Sequence, residues 1–160
     1  MKKKIAILTC ALLVPALTAC GSKKGDTLVC TNTQYNGGYT SIVSIEFNGN
    51  NTEITGAEIK AIINFEGHTV QELGCTTNTI VDCVDQLVNT MEGSCNGDSL
   101  VQDCLIANRT STGFVFTARV KNKSLAKYFL GQDSSGFSLQ TSRDDVKRIM
   151  ETRSSTVMCN

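Results

Sequence analysis

The chain has 160 residues, of which 41% are hydrophobic and 6% aromatic, and its formal net charge is zero. This apolar content is enough to build one core, so the composition excludes a wholly disordered chain. No stretch reaches the roughly 18–20 apolar residues of a membrane-spanning helix, which excludes a polytopic membrane protein.

The first twenty residues have the pattern of a bacterial export signal. Three lysines precede an apolar run from Ile5 to Leu17, and Leu-Thr-Ala lies directly before Cys20. This arrangement resembles the lipobox of bacterial lipoproteins, in which the cysteine carries a diacylglyceryl thioether and cleavage occurs just before it. The alternative is an ordinary secretory signal with a cysteine nearby. We expect residues 1–19 to be a lipoprotein signal peptide. Lipidated Cys20 would then hold the chain on the extracytoplasmic face of the cell membrane.

Cleavage would change the size and the charge of the chain. Removal of 19 of the 160 residues leaves 141, and loss of three of the 15 Lys and Arg residues leaves 12 against 15 Asp and Glu. Residues 20–26 are polar and contain glycine, which predicts a flexible tether. The six residues after Cys20 reach at most about 20 Å, so residues 27–160, the predicted single domain, would lie close to the bilayer.

From Thr27 onward the sequence has the period-two alternation of β-strands. Three strands are predicted over residues 28–34, 39–47 and 52–65, with turn residues between them and a bulge or break at Gly56. Together they predict an antiparallel meander. The residues of the second and third strands that share one face are Val43, Ile45, Phe47, Ile59, Ala61, Ile63 and Phe65.

A helix follows, because the period changes after the capping-box pattern that begins at Thr79, and Gly93 predicts its end. Residues 100–107 and 114–121 then predict a β-hairpin. A short helix is predicted up to Gly131, a second capped helix begins after Ser142, and residues 157–159 predict a terminal strand. The apolar positions of the two main helices are Ile80, Val84, Leu87, Val88 and Met91, and then Val146, Ile149 and Met150.

The predicted fold class is therefore α+β. An antiparallel β-sheet meander packs against one long amphipathic helix and a C-terminal helix, and disulfides staple the domain. The inward residues of all strands, including Phe116 and Ile63, are expected to share one core with the long helix, and the C-terminal helix is expected to close the same core or its edge.

Charge is unevenly distributed along the chain. Eleven of the 15 acidic residues lie between Gly25 and Asp103, whereas nine basic residues lie between Cys104 and Asn160. One interpretation is a domain with an acidic face and a basic face directed at the membrane. The simpler interpretation, which we favour, is that the two halves interleave in one sheet and neutralise each other.

Six cysteines remain after the lipidated one, and an even number on an exported chain predicts three disulfides. Zinc is the weaker alternative, because no C-x₂₋₄-C spacing occurs. A helix separates Cys83 from Cys95, which opposes a bridge needing Cα atoms about 4.4–6.8 Å apart. A turn-rich segment can join Cys95 to Cys104, and Cys75 can reach the first helical turn. The favoured pairs are Cys75–Cys83, Cys95–Cys104 and Cys30–Cys159.

Catalytic chemistry has little support in the sequence. A nucleophilic triad would have to use His68, the one histidine, and no Gly-x-Ser-x-Gly elbow accompanies it. Signatures of zinc proteases, phosphate-binding loops, dinucleotide sites and calcium loops are absent from the sequence. We therefore predict no catalytic residue, no metal and no cofactor. The net acidity of the mature chain opposes nucleic-acid binding.

The order of these features resembles a known family. A lipobox precedes a cysteine-containing first strand, a hairpin over residues 39–65, an amphipathic helix, the strand Phe114–Lys121, and a helix capped by Ser-Arg-Asp-Asp-Val from Ser142. This order is similar to that of the small YehR-type lipoproteins of low-GC Gram-positive bacteria. The resemblance implies an α+β fold and a surface location, and it implies no reaction. The six cysteines depart from the expected pattern and suggest a disulfide-bearing branch.

Three functions follow as hypotheses. The favoured one is a non-catalytic binding or interaction module, anchored through Cys20, whose partner is a protein or a small-molecule ligand. The alternative is an accessory ligand-capturing lipoprotein of a transport system, although 141 residues is short for two lobes around a cleft. The third, and weakest, is a hydrolase using His68.

Overall fold

The computed structural model describes residues 24–34, 37–95, 100–125 and 138–160. The predicted signal peptide, Cys20 and the predicted short helix after residue 125 lie outside these ranges. The described elements are β1 (Lys24–Gln34), β2 (Tyr39–Asn48), β3 (Ile54–Asn64), α1 (Ile80–Gly93), β4 (Val101–Ala107), β5 (Gly113–Val120), a 3₁₀ turn (Asn122–Ser124), α2 (Arg143–Arg153) and β6 (Val157–Cys159).

The strands form one antiparallel sheet of six strands in the order β4-β5-β3-β2-β1-β6. An α+β fold is therefore present, and β1, β2 and β3 form the predicted meander. The next two strands do not continue the meander in chain order. β5 pairs with β3, and β4 pairs with β5 at the outer edge of the sheet. Burial follows this order: five of the eight β5 residues are buried, whereas no β4 residue is.

Both main helices begin where the sequence predicts, at threonine and serine caps. The Thr79 hydroxyl accepts the Asp82 backbone N–H at 3.1 Å, and the Ser142 hydroxyl accepts that of Asp145 at 3.2 Å. Each hydroxyl satisfies one of the backbone donors that a helix leaves free at its N-terminus. In the described ranges, neither α1 nor α2 has the length and apolar character that a bilayer-crossing helix requires.

Two buried clusters lie along the sheet where the sequence predicts one shared core. The first combines Leu28, Ile45 and Phe47 of the sheet with Val146 of α2. The second combines Ala61, Ile63, Phe65, Leu73, Cys83, Val84, Val88, Phe114, Phe116 and Ala118. The expectation of a single core is therefore wrong, because each helix covers its own part of a wide sheet. Phe116 and Ile63 are buried as predicted.

The ion pairs show how the two oppositely charged halves of the chain combine. Glu46 lies 3.2 Å from Lys24 and 3.5 Å from Arg119, and Asp85 lies 2.7 Å from Arg109. Two of these three pairs join an acidic residue of the first half to an arginine of the second half. Two further pairs, Arg143–Asp144 and Arg148–Asp145, lie within the second half. The contacts of Arg119 and Arg109 with acidic residues of the first half favour interleaved halves over two separate charged faces.

A bulge lies beside Gly56, where one was predicted: Glu46 pairs with Gly56 and Phe47 with Ile54, which leaves Thr55 as the extra residue. A Cβ atom at Gly56 would come within 2.7 Å of the Glu46 carboxylate, so a side chain there would displace the acid from its two cations.

The flexible tether predicted for residues 20–26 overlaps the beginning of β1. Lys24, Gly25 and Asp26 belong to β1, although we expected the flexible segment to extend through residue 26. Asn51 explains the difference, because its side chain accepts the Asp26 backbone N–H at 2.8 Å and donates to the Asp26 carboxylate at 3.0 Å.

Three disulfides staple the fold, and they are the same three pairs that the spacing predicts. Cys30 and Cys159 are direct neighbours across β1 and β6, with Cα atoms 4.1 Å apart. The Cys75–Cys83 bridge fastens the segment before α1 to the first turn of the helix, with a Cα separation of 5.9 Å. The third bridge joins Cys95, just after α1, to Cys104 in β4.

Candidate functional site

A cavity of about 540 Å³ lies between α1 and the adjoining ends of β1 and β2. Its floor consists of Asn32, Gln34, Tyr39 and Ser41. Asn32 pairs with Ser41 and Gln34 with Tyr39 across the two strands. Because side chains alternate between the faces of a strand, these four residues lie on the same face as buried Leu28 and Cys30. The floor is therefore a polar continuation of the buried face of the sheet.

The walls come from α1 and from the segment between β3 and α1. Cys83, Gln86 and Leu87 are spaced three and four residues apart, so they share one side of α1. The connecting segment contributes Phe65 and Leu73 and continues through Gly74, Cys75 and Thr76. The Cys75–Cys83 disulfide joins these two walls. A hydrogen bond of 3.5 Å between the Thr76 hydroxyl and the Gln86 side chain adds a polar link at the rim.

A local network holds the connecting segment in place. The backbone N–H and the hydroxyl of Thr69 donate to the Glu72 carboxylate at 2.8 and 3.0 Å. These hydrogen bonds, led by the backbone one, lower the pKa of Glu72 from its ordinary value. Gly74 has φ of +66°, a conformation that favours glycine, and it places Leu73 and Cys75 along the cavity.

The lining combines polar and apolar groups, and none of the described residues in it carries a charge. Carboxamides come from Asn32, Gln34 and Gln86, and hydroxyls from Ser41 and Thr76, while Phe65, Leu73 and Leu87 supply apolar surface. Gln34, Thr76 and Gln86 are exposed at the rim, whereas Asn32 and Ser41 are partly buried.

One atom of the Asn32 side chain has no hydrogen-bond partner among the described residues. The Oδ1 atom of Asn32 is completely shielded from solvent, and no described residue donates a hydrogen bond to it. A shielded oxygen without a donor costs about 1–3 kcal/mol, so native structures seldom retain one without a reason.

Of the site residues predicted from the sequence, only two of the described cysteines line this cavity. Cys20 lies outside the described residues, and Cys75 and Cys83 line the cavity. The other four cysteines form bridges elsewhere in the fold.

His68 lies in the segment after β3, where its backbone N–H donates to the Phe65 carbonyl at 3.1 Å and its charge contributes to the lowered pKa of Glu72. It does not line the cavity. In the described part of the chain, no group of three or more His, Cys, Asp and Glu residues is arranged to hold a metal ion.

The residues of the cavity floor are not among those predicted from the sequence. The signal was available in the alternation of the strands: the inward positions of β1 run from Leu28 and Cys30 to Asn32 and Gln34, so they change from apolar to polar at one end. The inward positions of β2 make the matching change at Ser41. Polar residues at consecutive inward positions of paired strands indicate a cavity or a buried polar network.

Comparison with known proteins leaves the family open. No family model matches the chain, and no curated protein or solved structure matches it. The resemblance to YehR-type lipoproteins therefore stays a prediction.

Proposed function

We propose that this protein is a lipid-anchored, extracytoplasmic binding module that holds a small uncharged molecule between α1 and the β1–β2 end of the sheet. The observation that carries the proposal is the cavity of about 540 Å³, whose lining mixes polar and apolar groups and contains no charged side chain. This volume falls within the range of about 300–1,000 Å³ that is typical of small-molecule sites. The binding would be non-catalytic.

The lining favours an uncharged ligand over a charged one. A charged group entering the cavity would give up hydration, and no described side chain of the lining could neutralise it. Burying an unpaired charge is far more costly than burying a hydrogen-bonded neutral group. The carboxamides and hydroxyls can replace the water around a neutral polar ligand, and the apolar residues can cover its hydrocarbon surface.

The disulfides support the proposed location. Three bridges in a small domain are typical of an oxidising, extracytoplasmic compartment. They agree with the export signal and lipobox in the sequence, which supply the anchor in this proposal. A site whose walls are bridged by Cys75–Cys83 is also preorganised, which lowers the entropic cost of binding.

The cavity also bears on the second hypothesis. A module that only displayed a protein-binding surface would not require a ligand cavity, whereas an accessory ligand-capturing lipoprotein of a transport system would. Capture for transport is therefore the second candidate. It would differ from simple recognition in that the captured molecule is passed to a membrane partner.

Ligand-observed NMR tests the proposal on the full chain, with one set of uncharged water-soluble fragments and a second set of carboxylates and amines. We expect uncharged fragments to bind and the Ser41→Phe variant, whose ring occupies part of the cavity, to weaken their signals. Thr40→Phe is the matched control, because Thr40 is the neighbouring residue on the opposite face of the same strand. Gln86→Trp blocks the rim from an exposed helical position, and it replaces Ser41→Phe if that variant fails to fold.

The proposal fails if the fragments that bind the wild-type chain bind Ser41→Phe and Gln86→Trp equally well. It also fails if carboxylates or amines bind in the cavity more tightly than the uncharged set.

A further inference from the structure

The tether between the proposed anchor and the domain is short, and it joins the fold at one end of the sheet. Three residues separate Cys20 from Lys24, where β1 begins. The Cα atoms of Cys20 and Lys24 are therefore at most about 14 Å apart, even in a fully extended chain. With a diacylglyceryl anchor on Cys20, this end of the sheet must remain close to the bilayer.

The β2–β3 turn and the start of α2 lie at the same end of the sheet as Lys24, and we call these three features the anchor end. Lys24 pairs with Asn48, the last residue of β2. In the turn that follows, the Asn51 carbonyl accepts the Arg143 backbone N–H at 2.9 Å, which fixes the start of α2 beside the turn. Residues 48–52 contain no charged side chain, so this turn can approach lipid headgroups without charge repulsion.

The cavity lies at the opposite end of the same strands. Its floor includes Ser41, and the step of seven residues from Ser41 to Asn48 along β2 spans about 24 Å. A domain turned with its cavity end against the bilayer would raise Lys24 to about this height, which exceeds the reach of the tether. The covalent length of the tether therefore excludes that orientation.

Charge opposes a second orientation, in which the domain lies on its side with α1 against the headgroups. Residues 65–95, which include α1 and the connecting segment before it, contain five acidic residues and neither lysine nor arginine. Asp85 pairs with Arg109 of the β4–β5 connection. The other four are exposed, namely Glu66, Glu72, Asp82 and Glu92. An anionic bilayer attracts basic segments and repels acidic ones, within a screening length of about 8 Å.

We propose that the short tether holds the anchor end against the lipid bilayer, so that the cavity opens into the aqueous phase. This inference rests on the proposed function, since it uses the anchor on Cys20, and it defines the source of the ligand. A molecule dissolved in the bilayer does not reach the cavity, so the captured ligand is water-soluble. A membrane partner that received the ligand would have to extend about 24 Å from the bilayer.

Tryptophan fluorescence tests the orientation, because the chain contains no tryptophan of its own. The lipidated chain is placed in vesicles of phosphatidylethanolamine and phosphatidylglycerol with dansyl-labelled headgroups, and energy transfer from one introduced tryptophan is measured. Asn50→Trp in the β2–β3 turn and Asn78→Trp before α1 are the matched pair, because both replace exposed asparagines in connecting segments. We expect transfer from Asn50→Trp to be at least about threefold more efficient, because the length of β2 separates the two ends.

Further variants control for the tether and for the substitutions themselves. A Gly-Ser linker of about 20 residues inserted after Ser22 has an r.m.s. length of about 25 Å, so it permits other orientations and should bring the ratio close to one. Gln140→Trp and Gln71→Trp repeat the comparison at exposed positions if either of the first two variants does not fold. Gln140 belongs to the anchor end, because the carbonyl of its neighbour Leu139 accepts the Ile54 backbone N–H at 2.8 Å.

The outcomes separate this inference from the proposed function. Equal transfer from the two positions, or stronger transfer from Asn78→Trp, overturns the inference, whereas the binding module stands if uncharged fragments still bind in the cavity of the anchored chain. A ratio that the long linker leaves unchanged also overturns the inference, because the tether would then not set the orientation. A lipidated chain that does not associate with the vesicles overturns both the inference and the anchor of the proposed function.

Discussion

Replacing Cys30 and Cys159 together by alanine is expected to lower the melting temperature about 6–10 °C more than replacing Cys75 and Cys83. The reason lies in the loops that the bridges close. The first pair spans 129 residues of sequence and the second only 8. In the chain-entropy model the long loop contributes about 5 kcal/mol to the free energy of unfolding and the short loop about 2.6 kcal/mol.

The third bridge provides the matched control for this comparison. Cys95 and Cys104 are separated by 9 residues, almost the same loop as Cys75–Cys83, so its double alanine variant should resemble the other short-loop variant. Calorimetry of the three double variants measures the shifts, and peptide mapping without reduction establishes which bridges form. Equal shifts for all three variants would contradict the entropic account. A Cys75–Cys104 or Cys83–Cys95 crosslink would contradict the pairing itself.

Replacing Cys20 by alanine is expected to abolish retention of the protein in the membrane fraction and to leave an unprocessed or mislocalised precursor. The physical reason is that the predicted anchor is the diacylglyceryl group on this cysteine. Removing that group removes the hydrocarbon that partitions into the bilayer, at about 0.8 kcal/mol for each buried methylene.

Cys10→Ala is the control, because Cys10 lies within the predicted signal peptide and would be discarded on cleavage. Membrane fractionation with mass spectrometry of the processed N-terminus distinguishes the outcomes. A wild-type protein that is cleaved normally but recovered in soluble form without lipid would contradict the lipoprotein prediction.

The faces of the strands were predictable from the sequence, but the order of the strands was not. Alternation fixes which residues point inward, and Ile45, Phe47 and Phe114 are buried as expected. Alternation says nothing about which strand lies beside which. The position of β5 between β3 and β4 is a property of the assembled sheet rather than of a local window of sequence.

The candidate site was predictable only in part. The cysteine spacing predicted the Cys75–Cys83 bridge, and this bridge forms part of the cavity wall. The floor required the register of β1 against β2, because Asn32 and Ser41 lie close together only through that pairing. Gln86 lines the cavity because α1 lies over this end of the sheet. The amphipathic pattern of α1 does not specify that placement.

The central claim is that a small uncharged molecule occupies the cavity between α1 and the β1–β2 end of the sheet. Its most direct test is the measurement of intermolecular nuclear Overhauser effects between the tightest-binding uncharged probe and the methyl groups of the full chain. We expect cross-peaks to Leu73 and Leu87, which line the cavity, and none to Ile42 and Ile62, which lie on the opposite face of the sheet. Cross-peaks to Ile42 and Ile62 alone, or no cross-peaks to Leu73 and Leu87, would contradict the claim.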